Sequence, residues 1–190
     1  MRDISRTEIR IAGFGGQGVV LCGVVLGRAA CIYDGKCATL TQNYGPEARG
    51  GACAVQIVLR DKTVGYPYLT EPDVLAVMSQ EAAGKFVPTI RQGGMLICEE
   101  DLVKLDAKPE SVTVHRIPAR RLAEELGQAL VQNIVMAGFI TATSGVVSAE
   151  AVERSVRDSV PKGTEAINLK AFAVGYEYAQ RQKAENVPAP

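Results

Sequence analysis

The sequence predicts an α/β domain: a mainly parallel sheet with helices on both faces, some antiparallel strands and a helical C-terminal part. Two patterns carry that expectation. As far as Ile117, short apolar runs of strand length alternate with segments of helical spacing; from Ala119 on, helical spacing takes over. A third observation is local. The run IRIA stops at the glycine cluster GFGGQG and a second apolar run follows at once, as when a strand turns tightly into a helix.

In chain order, residues 9–12 read as the first strand and 17–31 as the helix after it. Residues 36–42 (KCATLTQ) read as a second strand, followed by a polar loop at 43–51 (NYGPEARGG) rich in turn formers. Residues 52–59 (ACAVQIVL) form the next strand, with a turn at 61–63 and a short hairpin partner at 64–66. Residues 73–78 (DVLAVM) are a strand, and 80–87 a helix with Ala82, Ala83 and Phe86 inward and Pro88 at its end. Strands follow at 94–98 and 112–117. Helices follow at 119–126, 132–143, 149–156 and 164–182, the third opened by Ser148 with Glu150 and Glu153 behind it. A single domain over 9–182 is expected, with 1–8 and 183–190 as flexible termini.

Composition removes several function classes. Lys plus Arg and Asp plus Glu both number 21 in 190 residues, so nothing steers the chain toward nucleic acid or an acidic membrane. No uninterrupted run of about 18 apolar residues exists. The opening MRDISRTEIR lacks the apolar region of a signal peptide, so a cytoplasmic location is expected. The five cysteines (Cys22, Cys31, Cys37, Cys53, Cys98) are odd in number and widely spaced, and His115 is the sole histidine. That set argues against a zinc site or a cysteine-ligated iron–sulfur cluster in this chain, and reads as small buried hydrophobes. No nucleophile–base constellation appears; His115 and the Arg116, Arg120, Arg121 cluster read as structural or solvated.

Gly13, Gly15 and Gly18 fit the spacing G-x-G-x-x-G. Gly13 suits the tight turn, Gly15 or Gly16 the approach of backbone to a phosphate, and Gly18 close packing of helix on strand. The helix start offers free N–H groups to an anion, and Gln17 sits there to cap or to reach a ligand. A dinucleotide fold also places an acid at the end of its second strand to hold the ribose. Here that strand ends Thr41-Gln42-Asn43, and Asp34 precedes it. Dinucleotide binding, another anion and pure packing all remain open at this stage. The P-loop is excluded, because no Gly-Lys-Ser/Thr follows.

The loop Asn43-Tyr44-Gly45-Pro46-Glu47-Ala48-Arg49-Gly50-Gly51 leaves the second strand's carboxyl end. If the first two strands run the same way, both glycine loops meet at one edge of the sheet, where α/β folds bind ligands. Arg49 beside two glycines places a fixed cation next to exposed amides, which suits a carboxylate or phosphate. A turn with a surface Glu47–Arg49 ion pair is the plain alternative.

The segments GFGGQGVVLCGVVLGRAA and TQNYGPEARGGACAVQIVL, then Tyr66-Pro67, Pro72-Asp73-Val74-Leu75, Met78-Ser79-Gln80-Glu81-Ala82 and NIVMAG at 133–138, follow in order. Together they resemble the gamma subunit of 2-oxoacid:ferredoxin oxidoreductases, over roughly residues 9–178, and the SQEA wording is similar to the 2-oxoglutarate branch. The resemblance implies that 9–182 is a pyruvate/ketoisovalerate oxidoreductase gamma-type domain. Its complex would convert a 2-oxoacid and coenzyme A to an acyl-CoA and carbon dioxide, passing electrons to ferredoxin. Thiamine diphosphate would lie between alpha and beta subunits and iron–sulfur clusters on other chains, with no cofactor held by this chain alone. The implied partners are alpha and beta subunits and, in four-subunit assemblies, a ferredoxin-type delta subunit. Gly13, Gly15, Gly16, Gln17 and Gly18, with Tyr44, Glu47, Arg49, Gly50 and Gly51, are the expected ligand-facing or interface residues. Two rivals stand beside this reading: the small subunit of an indolepyruvate:ferredoxin oxidoreductase, and a stand-alone dinucleotide-binding or interaction module.

Overall fold

The computed structural model describes residues 6–44, 52–107 and 109–185. Its strands are β1 (Arg6–Phe14), β2 (Cys37–Tyr44), β3 (Ala52–Arg60), β4 (Val74–Val77), β5 (Met95–Glu99) and β6 (Thr113–Ile117). They form one sheet in the order β2-β3-β1-β4-β5-β6. β1, β4, β5 and β6 pair in parallel. β3 runs against both of its neighbours, with Ile9 opposite Ile57 on one side and Leu40 opposite Ile57 on the other. β2 therefore points the same way as β1, although β3 lies between them.

Alternation along the strands splits the core into two layers. Ile9 and Ile11 of β1, Val55 and Ile57 of β3 and Ile97 of β5 face the larger one. There they meet α1 (Val19–Arg28), α4 (Gln132–Ser144), α5 (Ala149–Ser159) and α6 (Glu165–Glu185). Ala12, Leu75, Val77, Leu96 and Cys98 face the other side, covered by the short α2 (Gln80–Phe86) and by Val103 and Val112. α3 (Ala119–Glu125) follows β6 and buries Ala119 and Ala123 in the larger layer.

α4 is the axis of the larger layer, its residues from Asn133 to Ala142 all buried. It lies against α6 so closely that a Cβ on Gly138 would collide with the carbonyl of Phe172, and one on Gly175 with the carbonyl of Val135. The apolar stretch ALVQNIVMAGFITATSG is therefore core between its ends; Ala129, Leu130 and Gly145 are exposed, and Leu130 is the large apolar side chain among them, 71% exposed at the foot of the helix.

Three boundaries differ from the sequence reading. The helix after β1 ends at Arg28 and a π-helical turn, Ala29–Tyr33, completes it. Residues 64–66 form no strand. The Arg6 guanidinium donates to the carbonyls of Tyr66 (3.0 Å) and Tyr68 (2.8 Å), and the buried Glu8 accepts from the backbone of Thr70 and Glu71, so side chains from β1 hold this segment. Of the expected flexible termini, residues 6–8 are strand and 183–185 are helix; 1–5 and 186–190 lie outside the described residues.

Candidate functional site

Two neighbouring parallel strands send their chains to opposite faces. β1 leads into α1 on the thick side and β4 into α2 on the other. The gap between their carboxyl ends is the switch point where open α/β sheets bind ligands.

In this chain Gln17 fills that gap. Its Oε1 accepts from Phe14 N at 2.9 Å and its Nε2 donates to Met78 O at 2.7 Å, tying the end of β1 to the end of β4. The residue is 2% exposed. Of the two roles open to Gln17, the structure shows the capping one, with both ends of the amide used inside the chain. The glycines serve this arrangement. A Cβ on Gly13 would collide with Gln17 Oε1, so Gly13 supplies room rather than a tight turn. The turn belongs to Gly16 and Gly18, with φ of 103° and 72°, values that favour glycine. Gly18 packs on α4 rather than on a strand: its Cβ would lie 2.6 Å from the Asn133 amide, whose Nδ2 donates to Gly18 O at 3.2 Å. Close contact of α1 with the sheet falls to Gly23, against Val55. Gly15 is half-buried and Gly16 exposed, and these two present backbone to the outside.

Sheet register brings the flanks of the second loop to the same edge. Phe14 lies opposite Ala52, and Tyr44 opposite Cys53, so the flanks of loop 45–51 sit one and two strands from the first glycine loop, at about 4.8 Å per strand. Tyr44 closes β2 by its backbone. Glu47, Arg49, Gly50 and Gly51 lie outside the described residues, as does the side chain of Tyr44.

The acids nearby are engaged elsewhere. Asp34 accepts from Ser148 N at 2.7 Å and Ser148 Oγ at 2.6 Å, fixing the start of α5. Glu99, fully buried at the end of β5, accepts from Leu102 N and Arg120 N; burial raises its carboxyl above the ordinary range against these bonds. Nothing in the run Glu99-Glu100-Asp101 marks Glu99 as its buried member; burial alone distinguishes it. Asn133 was likewise missed as a partner of the loop, though NIVMAG had been singled out. His115 stacks edge-on near Phe139 (6.4 Å), and burial lowers its pKa. Arg120 pairs with Glu124, Arg121 with Asp101, and Arg116 donates to Val103 O.

Among the described residues no three His, Cys, Asp or Glu side chains gather as a metal site. Burial pushes the Cys22 thiol up to about 12 and Cys98 to about 11, which opposes the thiolate that cluster ligation needs. Cys53 is buried too, whereas Cys31 is exposed and Cys37 half-exposed, so the buried-hydrophobe reading fits three of the five. No described helix is long and apolar enough to cross a membrane.

The glycine turn thus lies at the carboxyl edge of a two-layered α/β domain whose switch point is spanned by Gln17. Residues 8–178 match the family model described as pyruvate ferredoxin/flavodoxin oxidoreductase, and the chain belongs to that family of oxidoreductases. It is 50% identical over 177 residues to the 2-oxoglutarate synthase subunit KorC of Methanocaldococcus jannaschii, covering 92% of this chain and 95% of that one. The KorC of Methanothermobacter thermautotrophicus is 48% identical over 179 residues, covering 90% and 94%. Among solved structures, the keto/oxoacid ferredoxin oxidoreductase gamma subunit of Geobacter sulfurreducens superposes with a TM-score of 0.83 at 39% identity, over 93% of this chain and 97% of that one.

Proposed function

We propose that this chain is the gamma-type subunit of a 2-oxoglutarate:ferredoxin oxidoreductase. The whole complex would convert 2-oxoglutarate, coenzyme A and two oxidised ferredoxins to succinyl-CoA, carbon dioxide, a proton and two reduced ferredoxins. The observation that carries the substrate is the identity of about one residue in two with 2-oxoglutarate synthase subunits along nearly the full length of both chains. In that complex thiamine diphosphate would lie between the alpha and beta subunits, and the iron–sulfur clusters on chains other than this one. This chain contributes the edge formed by the two glycine loops, and works in the cytoplasm.

Within that edge Arg49 is the residue assigned to coenzyme A. It is the only cation in YGPEARGG, and Gly50 and Gly51 let an anion approach guanidinium and backbone amides together. Gly15 and Gly16 face the same edge. A charge-assisted hydrogen bond is worth about 1.5–3 kcal/mol, so Arg49→Ala should raise the apparent KM for coenzyme A by roughly 10- to 150-fold in the reconstituted complex. The KM for the 2-oxoacid and the yield of complex should hardly change. Arg49→Lys should recover part of the loss, since a point charge lacks the bidentate fork. Dissociation of the complex by Arg49→Ala, with no separate kinetic effect, would make Arg49 an interface residue instead.

The substrate reading is tested by native pull-down with this chain, identification of the partners, and turnover of 2-oxoglutarate, pyruvate and indolepyruvate by the purified assembly. Preference for indolepyruvate would move the chain to the rival small-subunit reading. A melting shift of the isolated chain with NAD or FAD would favour the dinucleotide module; closure of the switch point by Gln17 speaks against it.

A further inference from the structure

The two edges of the sheet are treated differently. β6 is five residues long, and the Arg116 carbonyl on it accepts from Gln182 of α6 at 2.8 Å. β2 is eight residues long, and among the described residues no strand pairs with its outer edge. Its sequence, CATLTQNY, contains no charged residue, and none of the lysines, prolines or inward charges that keep edge strands apart. Beside this edge, between the strand and the end of α1, runs an apolar groove of about 320 Å³, lined by Val24, Gly27, Ile32, Ala38 and Leu40 among others. Ile32 stands at its rim with 55% of its surface exposed. A knob and a hole thus lie on one patch, as a two-fold contact requires.

We propose that this patch is a two-fold interface with a second copy of the chain, joining the β2 strands in antiparallel fashion into a continuous twelve-stranded sheet, twice the six strands of one copy. The register with Thr39 opposite itself sets Ala38 against the partner copy's Leu40. Both residues pack on the thick layer of their own chain, so apolar lining meets apolar lining and the two grooves become one seam filled by the two Ile32 side chains. Thr opposite Thr is a favourable cross-strand pair. In this register residues 37–41 pair with 41–37 of the second copy, and none of these five carries a charge, so no like charges are opposed. Arg28, exposed at the groove, keeps its head in water while its stem covers apolar surface. The contact is independent of the glycine-loop edge.

The test uses the full-length chain. Sedimentation equilibrium should give twice the chain mass at micromolar concentration. Ile32→Asp should shift the chain to monomer with its circular dichroism unchanged, while Ile32→Leu stays dimeric. In a Cys31→Ser/Cys37→Ser background, Thr39→Cys should cross-link to its own copy under mild oxidation, because same-residue positions on an antiparallel pair hold their Cβ atoms about 4.5–5.5 Å apart; Thr41→Cys, displaced from the axis, should not. A chain that is monomeric at every concentration and forms no Thr39→Cys cross-link overturns the proposal. So does an Ile32→Asp chain that self-associates as before but no longer co-purifies with its partner subunits, which would make the occupant a strand of another chain.

Discussion

Gln17 gives the glycine loop its shape by using both ends of one amide. Gln17→Ala leaves the Phe14 N–H without its acceptor and the Met78 carbonyl without its donor. Stability should fall by about 1–3 kcal/mol, read as a lower urea midpoint at constant m-value. Gln17→Glu should cost more, because it turns a carboxylate oxygen toward the Met78 carbonyl. If the alanine variant unfolds like the natural chain, the amide is not the staple. Glu99 adds a pH signature. Burial raises its carboxyl above the ordinary value near 4.5, so the folded state holds a proton that the unfolded chain has released. Stability contributed by the neutral form is present below the unfolded pKa and falls as pH rises through the raised one. Glu99→Gln should flatten that acid-side slope in denaturant titrations run at several pH values; an unchanged slope would assign it to other groups.

At the scale of elements, the pairing of α4 with α6 is the contact with least tolerance. Gly138 and Gly175 each face a carbonyl of the opposite helix, and backbone cannot swing aside as a side chain can. Gly138→Ala should therefore cost roughly 3 kcal/mol, at the upper end for overpacking, and lower Tm by about 6–12 °C for a chain of this size. Gly84→Ala, in α2 with open space around it, is the control and should leave Tm the same or slightly higher. A Gly138→Ala chain as stable as the Gly84→Ala control would show that the α4–α6 contact tolerates the added methyl.

At the scale of the whole molecule, the chemistry its side chains offer is limited. The described residues hold no three-ligand metal cluster, and their buried thiols resist ionisation. Purified alone under anaerobic conditions, the chain should be colourless and should not turn over 2-oxoglutarate; adding the other subunits should restore activity. Stoichiometric iron in the isolated chain would place a cluster where this reading has none.

Local signals were legible in the sequence because they depend on near neighbours. Short apolar runs located β3 and β4, helical spacing located α4 to α6, and Ser148 marked the start of α5, where its hydroxyl accepts from Ala151 N. That the carboxyl ends of β1 and β2 lie at one sheet edge was also readable as a condition, because it follows once the two strands run the same way. What local pattern could not supply was every choice made between distant segments. The insertion of β3 between β2 and β1 depends on pairing energies along two edges. The use of Gln17 as a plug depends on Met78, 61 residues away, arriving at its side. Gly18 reads as a glycine that packs helix on strand, and its partner is Asn133, met only after the chain has folded back. By itself the sequence determined which segments become strands and helices, and the family, because both rest on residue types in order. The tertiary structure alone decided that the dinucleotide-like turn is closed, since closure is made by hydrogen bonds between residues the chain order keeps apart.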